Sequence, residues 1–197
     1  MTDPTAPLAR VLDHLAPLLP LLARFTFAAV LLPYFWASAM TKLGDGVAGL
    51  FHPSVGAYAQ IFPRVFEAAG YDTSKLGVFH WAVVTAGTWA EFALPALIVL
   101  GLLTRLAALG MVGFIAVQSL TDLYGHGGLE HAATLGAWFD RMPDGVILDQ
   151  RAFWVFTLLV LAVQGAGALS LDRLVFRSGA PARPGGLRQA PEGQQSR

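Results

Sequence analysis

The sequence has no cysteine and few charged residues. Its 197 residues include 13 basic and 13 acidic ones, so that 13% of the chain is charged, against about 25% in a typical soluble domain. The absence of cysteine excludes disulfides, thiolate nucleophiles and metal sites built on cysteine ligands. Because the two signs of charge balance, nothing in the composition favours nucleic-acid binding. Any redox chemistry would need a bound cofactor or a quinone.

Long hydrophobic runs are abundant instead. Hydrophobic residues make up 55% of the chain, and most lie in four runs at about residues 18–41, 76–103, 106–121 and 152–171. A helix needs about 20 apolar residues to cross about 30 Å of hydrocarbon. We therefore predict an all-α fold, a bundle of four transmembrane helices with short interfacial helices in the two long loops.

The connections and the basic residues predict the topology. Only Thr104 and Arg105 separate the second and third runs, which indicates an antiparallel hairpin. More basic residues flank the terminal side of the runs than the opposite side. In the expected setting of a bacterial inner membrane, the positive-inside rule therefore favours both termini in the cytoplasm. Residues 1–177 are predicted to form one membrane domain. Residues 178–197, rich in Gly, Pro, Gln, Ser and Arg, are predicted to be a disordered cytoplasmic tail.

Arg24 and Glu91 are the charged residues inside the predicted spans. Ionisable residues within a membrane are costly and are usually paired or functional. The antiparallel arrangement of the first two spans allows an Arg24–Glu91 ion pair that could handle protons. Two alternatives stay open. The pair could serve only to lock the helices together, or Arg24 could extend to the interface while Glu91 stays protonated and hydrogen-bonded.

A second polar group follows the third run. Asp122, His126 and His131 lie close together in the sequence, among glycines that imply a tight turn. Histidine and carboxylate side chains can bind a metal ion or exchange protons near neutral pH. The pattern therefore predicts contact with a quinone headgroup or a metal ion at the outer face. Because no HExxH-like spacing occurs, the alternative is that these are ordinary solvated loop histidines.

Several short segments resemble the DoxX family of small bacterial integral membrane proteins. They are LAR at 22–24, TKL at 41–43, EFALPAL at 91–97, LGLLTRLAA at 100–108 and GALSLD at 167–172. The resemblance covers about residues 18–177 and implies a four-helix membrane fold. It also implies that an arginine and a glutamate recur at the positions of Arg24 and Glu91. The 122–151 loop is longer than the family core requires.

The resemblance implies a membrane component of a quinone-linked redox or oxidative-stress system, with a quinone as the implied cofactor. If the protein is enzymatic, it would be a subunit of a quinone-dependent oxidoreductase. The rival hypothesis is a non-enzymatic membrane anchor or assembly module for a partner protein, in a metal-response system for example. Under either hypothesis the expected partners are the lipid bilayer and another protein or a second copy of the chain.

Overall fold

A computed structural model describes residues 5–176, and within this range the fold is all-α. Four helical segments are long and apolar enough to cross a membrane: Leu8–Met40, Val78–Leu100, Thr104–Gly125 and Val146–Gln164. The predicted fold class is thereby confirmed. The tail predicted at 178–197 lies outside the described residues.

The α-helices are numbered in chain order. They are α1 (Ala6–Leu15), α2 (Leu19–Met40), α3 (Val55–Ile61), α4 (Pro63–Ala68), α5 (Val78–Leu100), α6 (Thr104–Leu120), α7 (Ala132–Leu135), α8 (Arg151–Gln164) and α9 (Leu171–Phe176). Single π-helical turns extend α6 through Thr121–Gly125 and precede α8 at Val146–Gln150. The short helices α3, α4 and α7 lie in the two long loops, between the spans.

The fourth span is shifted from its predicted position. It begins at Val146 and ends at Gln164, whereas the hydrophobic run continues to residue 171. Gly165 ends the helix because its φ of 82° is left-handed, a conformation that glycine adopts without steric cost. The residues between α8 and α9 therefore form an irregular turn. This turn supplies backbone carbonyl groups to the interior of the bundle.

The bundle core is formed by side chains from α2, α5, α6 and α8. Its fully buried large members are Phe27, Phe35, Ile98, Met111, Ile115, Leu158 and Leu161. Van der Waals packing of such side chains, rather than the hydrophobic effect, holds helices together in lipid. The opposite faces of the same helices are exposed and apolar, as at Phe25, Leu106, Phe153 and Phe156. These faces provide the surface that contacts the bilayer.

The first long loop folds back onto the start of α5. Ala57, Tyr58 and Phe66 form a second buried cluster with Val84 of α5. The indole nitrogens of Trp81 and Trp89 donate hydrogen bonds to the loop carbonyls of Phe51 and Leu50, both at 2.8 Å. The loop is thus held against α5 and forms a roof over the space between α2, α5 and α6.

Candidate functional site

Arg24 and Glu91 do not form the ion pair that was predicted. Glu91 lies seven residues before Ile98, about 10 Å along the helix. The guanidinium of Arg24 lies at the Ile98 level and is only 8% exposed. It donates to four backbone carbonyls: Ile98 at 3.1 Å, Ala166 at 3.0 Å, Val99 and Leu169.

The carbonyl partners explain the position of Arg24. The last carbonyls of a helix have no partner within the helix, and Arg24 satisfies those of α5 together with two from the turn after α8. The close approach requires Gly101, because a Cβ there would lie 2.9 Å from Cζ of Arg24. Arg24 is therefore a structural residue that joins α2, the end of α5 and the turn before α9.

The partner of Glu91 is Lys42, just after the end of α2. Its Nζ lies 2.9 Å from Oε2 and 3.1 Å from Oε1 of Glu91. It also donates to the Ser38 hydroxyl at 2.7 Å, one helical turn earlier. The Lys42 and Glu91 side chains are only 6% and 3% exposed. Burial of two charges is tolerated when each is paired and hydrogen-bonded, as here.

The sequence pattern did not single out Lys42, because this residue lies just beyond the first hydrophobic run. The signal was its place directly after the helix, four residues from Ser38. The Lys42 side chain extends back to Ser38 and places its ammonium group within the bundle, whereas a lysine near a helix end more often keeps its charged group in water. The position of a lysine in the sequence therefore does not show how deep in the bundle its Nζ lies.

The residues of the second polar group have separate partners. Asp122 forms an ion pair of 2.6 Å with Arg151, at the start of α8. Nε2 of His126 lies 2.9 Å from the backbone carbonyl of Gln60. Because a carbonyl only accepts, Nε2 carries the proton, and Nδ1 of the neutral ring is an acceptor. His131 lies apart, exposed at the start of α7.

The metal alternative finds no support in the described part of the chain. Residues 5–176 contain no group of three or more His, Asp or Glu side chains that could hold a metal ion. The carboxylate of Asp122 is paired with Arg151 instead. His131, the third residue of the predicted set, does not join the other two.

One cavity of about 590 Å³ brings the two polar groups together. It lies between α2, α5 and α6, under the roof formed by α3. Its polar lining includes the pair Lys42 and Glu91 and seven other residues: Tyr34, Ser38, Gln60, Gln118, Thr121, Asp122 and His126. The other lining residues are apolar or small, including Phe114, Ala86 and Gly113. Glu91, Asp122 and His126 therefore face the same space although their positions in the sequence are far apart.

Gln118 carries an unpartnered buried atom in this cavity. Its Nε2 donates to the Tyr34 hydroxyl at 3.0 Å. Its carbonyl Oε1 is buried and has no hydrogen-bond partner among the described residues. A buried acceptor without a partner is costly, and a bound ligand is one explanation for it. The cavity therefore offers an acceptor at Gln118 and an ammonium group at Lys42.

Comparison of the chain with protein-family models, with curated proteins and with solved structures finds no match in any of the three. The geometry of the cavity is accordingly the main basis for a functional assignment.

Proposed function

We propose that this multi-pass membrane protein is a component of a quinone-linked redox or oxidative-stress system, and that a quinone headgroup binds in the cavity beside Glu91. The observation that carries the proposal is that the Lys42–Glu91 pair and Gln118, whose Oε1 has no partner among the described residues, line one cavity. The resemblance to the DoxX family supports the choice of a quinone.

The chemistry of the lining suits the two oxidation states of a quinone. A quinone presents two carbonyl acceptors, and the Tyr34 hydroxyl, which accepts from Gln118 Nε2 and lines the cavity, has its own proton to donate to one of them. A quinol presents two hydroxyl donors, for which Gln118 Oε1 and the Glu91 carboxylate are acceptors. The volume of about 590 Å³ falls in the range of ~300–1,000 Å³ that is usual for small-molecule sites.

Protein groups in the cavity would exchange protons with the bound headgroup. Oxidation of a quinol to a quinone releases two electrons and two protons. We assign the electrons to a partner redox protein that accepts them, and the two protons to the Glu91 carboxylate and to Nδ1 of His126 as acceptors. In this assignment Lys42 positions the Glu91 carboxylate, while Arg24 holds the helices and takes no part in the chemistry.

A matched pair of glutamine variants tests the proposal. Gln118→Leu removes the unpartnered acceptor, and Gln164→Leu makes the same change at an exposed position of α8 that does not line the cavity. In lipid nanodiscs we expect Gln118→Leu to weaken ubiquinol binding about tenfold, ~1.4 kcal/mol. The Gln164 variant should bind like the wild type. A wild-type protein that binds neither ubiquinone nor ubiquinol would overturn the proposal.

An assembly role is the second candidate, and the loop between α7 and α8 favours it. Residues 137–144 are all exposed. A Cβ at Gly145 would lie 2.3 Å from Cα of Gly136, so the two ends of this loop lie close together. Trp138, Phe139 and Met142 are exposed on it. Exposed apolar groups of this kind often mark contact with a protein or a membrane.

Serine substitutions separate the two candidates. Phe139→Ser with Met142→Ser should dissolve a complex between this protein and a membrane partner, if assembly is its role, and should leave quinone binding unchanged. The apparent mass of the tagged protein in gently solubilised membranes is the readout. An unchanged mass would exclude docking through this loop.

A further inference from the structure

We infer that the cavity opens sideways into the bilayer, between α5 and α6, and that its ligand is an amphiphile dissolved in the membrane. The polar headgroup enters through this gap and the hydrocarbon chain stays in the lipid. The inference rests on the proposed function only in taking a quinone as the headgroup. The position of the opening does not depend on the identity of the headgroup.

Small residues line both edges of the gap. Ala86 and Ala90 of α5 and Gly110 and Gly113 of α6 all line the cavity. A Cβ at Gly110 would meet the Leu94 side chain at 3.2 Å, whereas a Cβ at Gly113, nearly one turn farther from the hairpin, would meet no atom within 4 Å. The space between the two helices therefore widens from Gly110 to Gly113.

The gap is open to the outside of the bundle. Ala86 on α5 and Gly113 and Val117 on α6 all line the cavity and are exposed. These residues carry no charge and lie within two of the four segments that are able to cross a membrane. An uncharged opening between two spans faces hydrocarbon rather than water.

The end of the cavity that lies toward the loops is narrowed by the first loop. His126 at the end of α6 is hydrogen-bonded to the carbonyl of Gln60 in α3, at 2.9 Å. A Cβ at Gly125 would lie 2.8 Å from Cγ of Pro63, so the backbone after α6 lies directly against the α3–α4 junction. Gln60 and His126 nevertheless line the cavity and are exposed, so this end is polar and faces water, whereas the gap between α5 and α6 is the uncharged entrance.

The entrance defines the class of ligand. Lys42 and Glu91 are deeply buried, so a headgroup must leave the lipid to reach them. A cavity of about 590 Å³ suits a headgroup of drug size, and a long polyprenyl chain would extend through the gap. The ligand class is thus a long-chain quinone that partitions into the membrane, rather than a water-soluble quinone.

Spin labelling tests the opening without any quinone. The natural chain has no cysteine, so Ala90→Cys provides a single labelling site on the cavity wall. In phosphatidylcholine vesicles, lipid-soluble oxygen should collide with this label more often than a water-soluble nickel chelate does. Adding Gly113→Leu should lower the oxygen collision rate about threefold, because a leucine side chain fills the gap. Ala116→Leu, on an exposed part of α6 that does not line the cavity, is the matched control and should change little.

Two results would overturn the lateral opening, whether or not a quinone binds. One is a label that the nickel chelate reaches more readily than oxygen does. The other is a Gly113→Leu protein whose label responds like that of the Ala116→Leu control. A wild-type protein that passes this test but binds no quinone would remove the proposed function and leave the opening in place.

Chain length tests the ligand class. We expect Gly113→Leu to weaken binding of long-chain ubiquinone-10 about tenfold and that of ubiquinone-1 less than about twofold, since the short chain fits inside the cavity. An equal loss for both ligands, or no loss for either, would contradict a chain that passes between α5 and α6.

Discussion

At the scale of single residues, the environment of Glu91 is governed by Lys42. Two charges this deeply buried stabilise the fold only together, because removal of one leaves the other without a counter-charge. The ammonium group also hydrogen-bonds to Ser38 and so fixes the side of α2 that faces the cavity. The pair therefore contributes both to the fold and to the wall of the cavity.

Breaking the Lys42–Glu91 pair should cost stability. Lys42→Met is expected to lower the free energy of unfolding in detergent by about 3 kcal/mol. The double variant Lys42→Met with Glu91→Met should lose clearly less than the sum of the two single variants, with a coupling of more than about 1 kcal/mol. Lys75→Met, at an exposed lysine of the first loop, is the control. Strictly additive effects would contradict the pairing.

Arg24 and Glu91 should show no such coupling. Arg24→Met leaves backbone carbonyls of α5 and of the turn after α8 unsatisfied and should destabilise the protein by itself. Combined with Glu91→Met, its effect should be additive within about 0.5 kcal/mol. A double variant that is more stable than Arg24→Met alone would instead support the Arg24–Glu91 ion pair predicted from the sequence.

The sequence identified Arg24 and Glu91 as the charged residues within the spans but not their partners. A guanidinium near a helix end can bind either a distant carboxylate or nearby carbonyl groups. Arg24 binds carbonyl groups because the turn at Gly165 places those of Ala166 and Leu169 beside it. A glycine that ends a helix inside an apolar run has no clear sequence signature.

At the scale of elements, the hairpin between α5 and α6 is capped from the far end of the chain. Oδ1 and Oδ2 of Asp172 accept hydrogen bonds from the backbone nitrogens of Leu103, at 2.6 Å, and Thr104, at 3.0 Å. These nitrogens lie at the start of α6, where backbone donors lack partners and a negative charge is stabilised by the helix dipole. The cap joins the start of α9 to the hairpin.

Loss of the cap should weaken the hairpin end of the bundle. Asp172→Ala is expected to lower the free energy of unfolding by about 1 kcal/mol, as for other caps, and Asp172→Asn by less because one acceptor remains. Quinone binding should be unaffected, since Asp172 does not line the cavity. An alanine variant as stable as the wild type would contradict a capping role.

The hydrophobic runs predicted the existence of the four spans but not all their ends. The third run continues into a π-helical turn at Thr121–Gly125, which turns Asp122 and His126 toward the cavity. The sequence had placed these residues in a loop because polar and glycine residues begin there. Helical hydrogen bonding continues past the last apolar residue, and hydropathy alone does not predict this continuation.

At the scale of the whole molecule, four crossings place the two ends of the described chain on one side of the membrane. We propose that this side is the cytoplasm, since more basic residues flank it. A fluorescent protein fused after Arg197 should then be fluorescent in a bacterial host. Alkaline phosphatase inserted after His131 should be active on the outer side. The reverse pattern would contradict this orientation.

The central claim is that a quinone binds in the cavity, and photolabelling tests this claim most directly. A photoreactive ubiquinone analogue, activated in membranes that contain the full chain, should label α5 and α6 residues of the cavity wall, such as Ala90 and Phe114. Excess ubiquinone should suppress this labelling, and Gln118→Leu should reduce it. Labelling confined to the outer faces of the helices, for example at Phe153 and Phe156 of α8, and insensitive to competing ubiquinone, would contradict a quinone site inside the bundle.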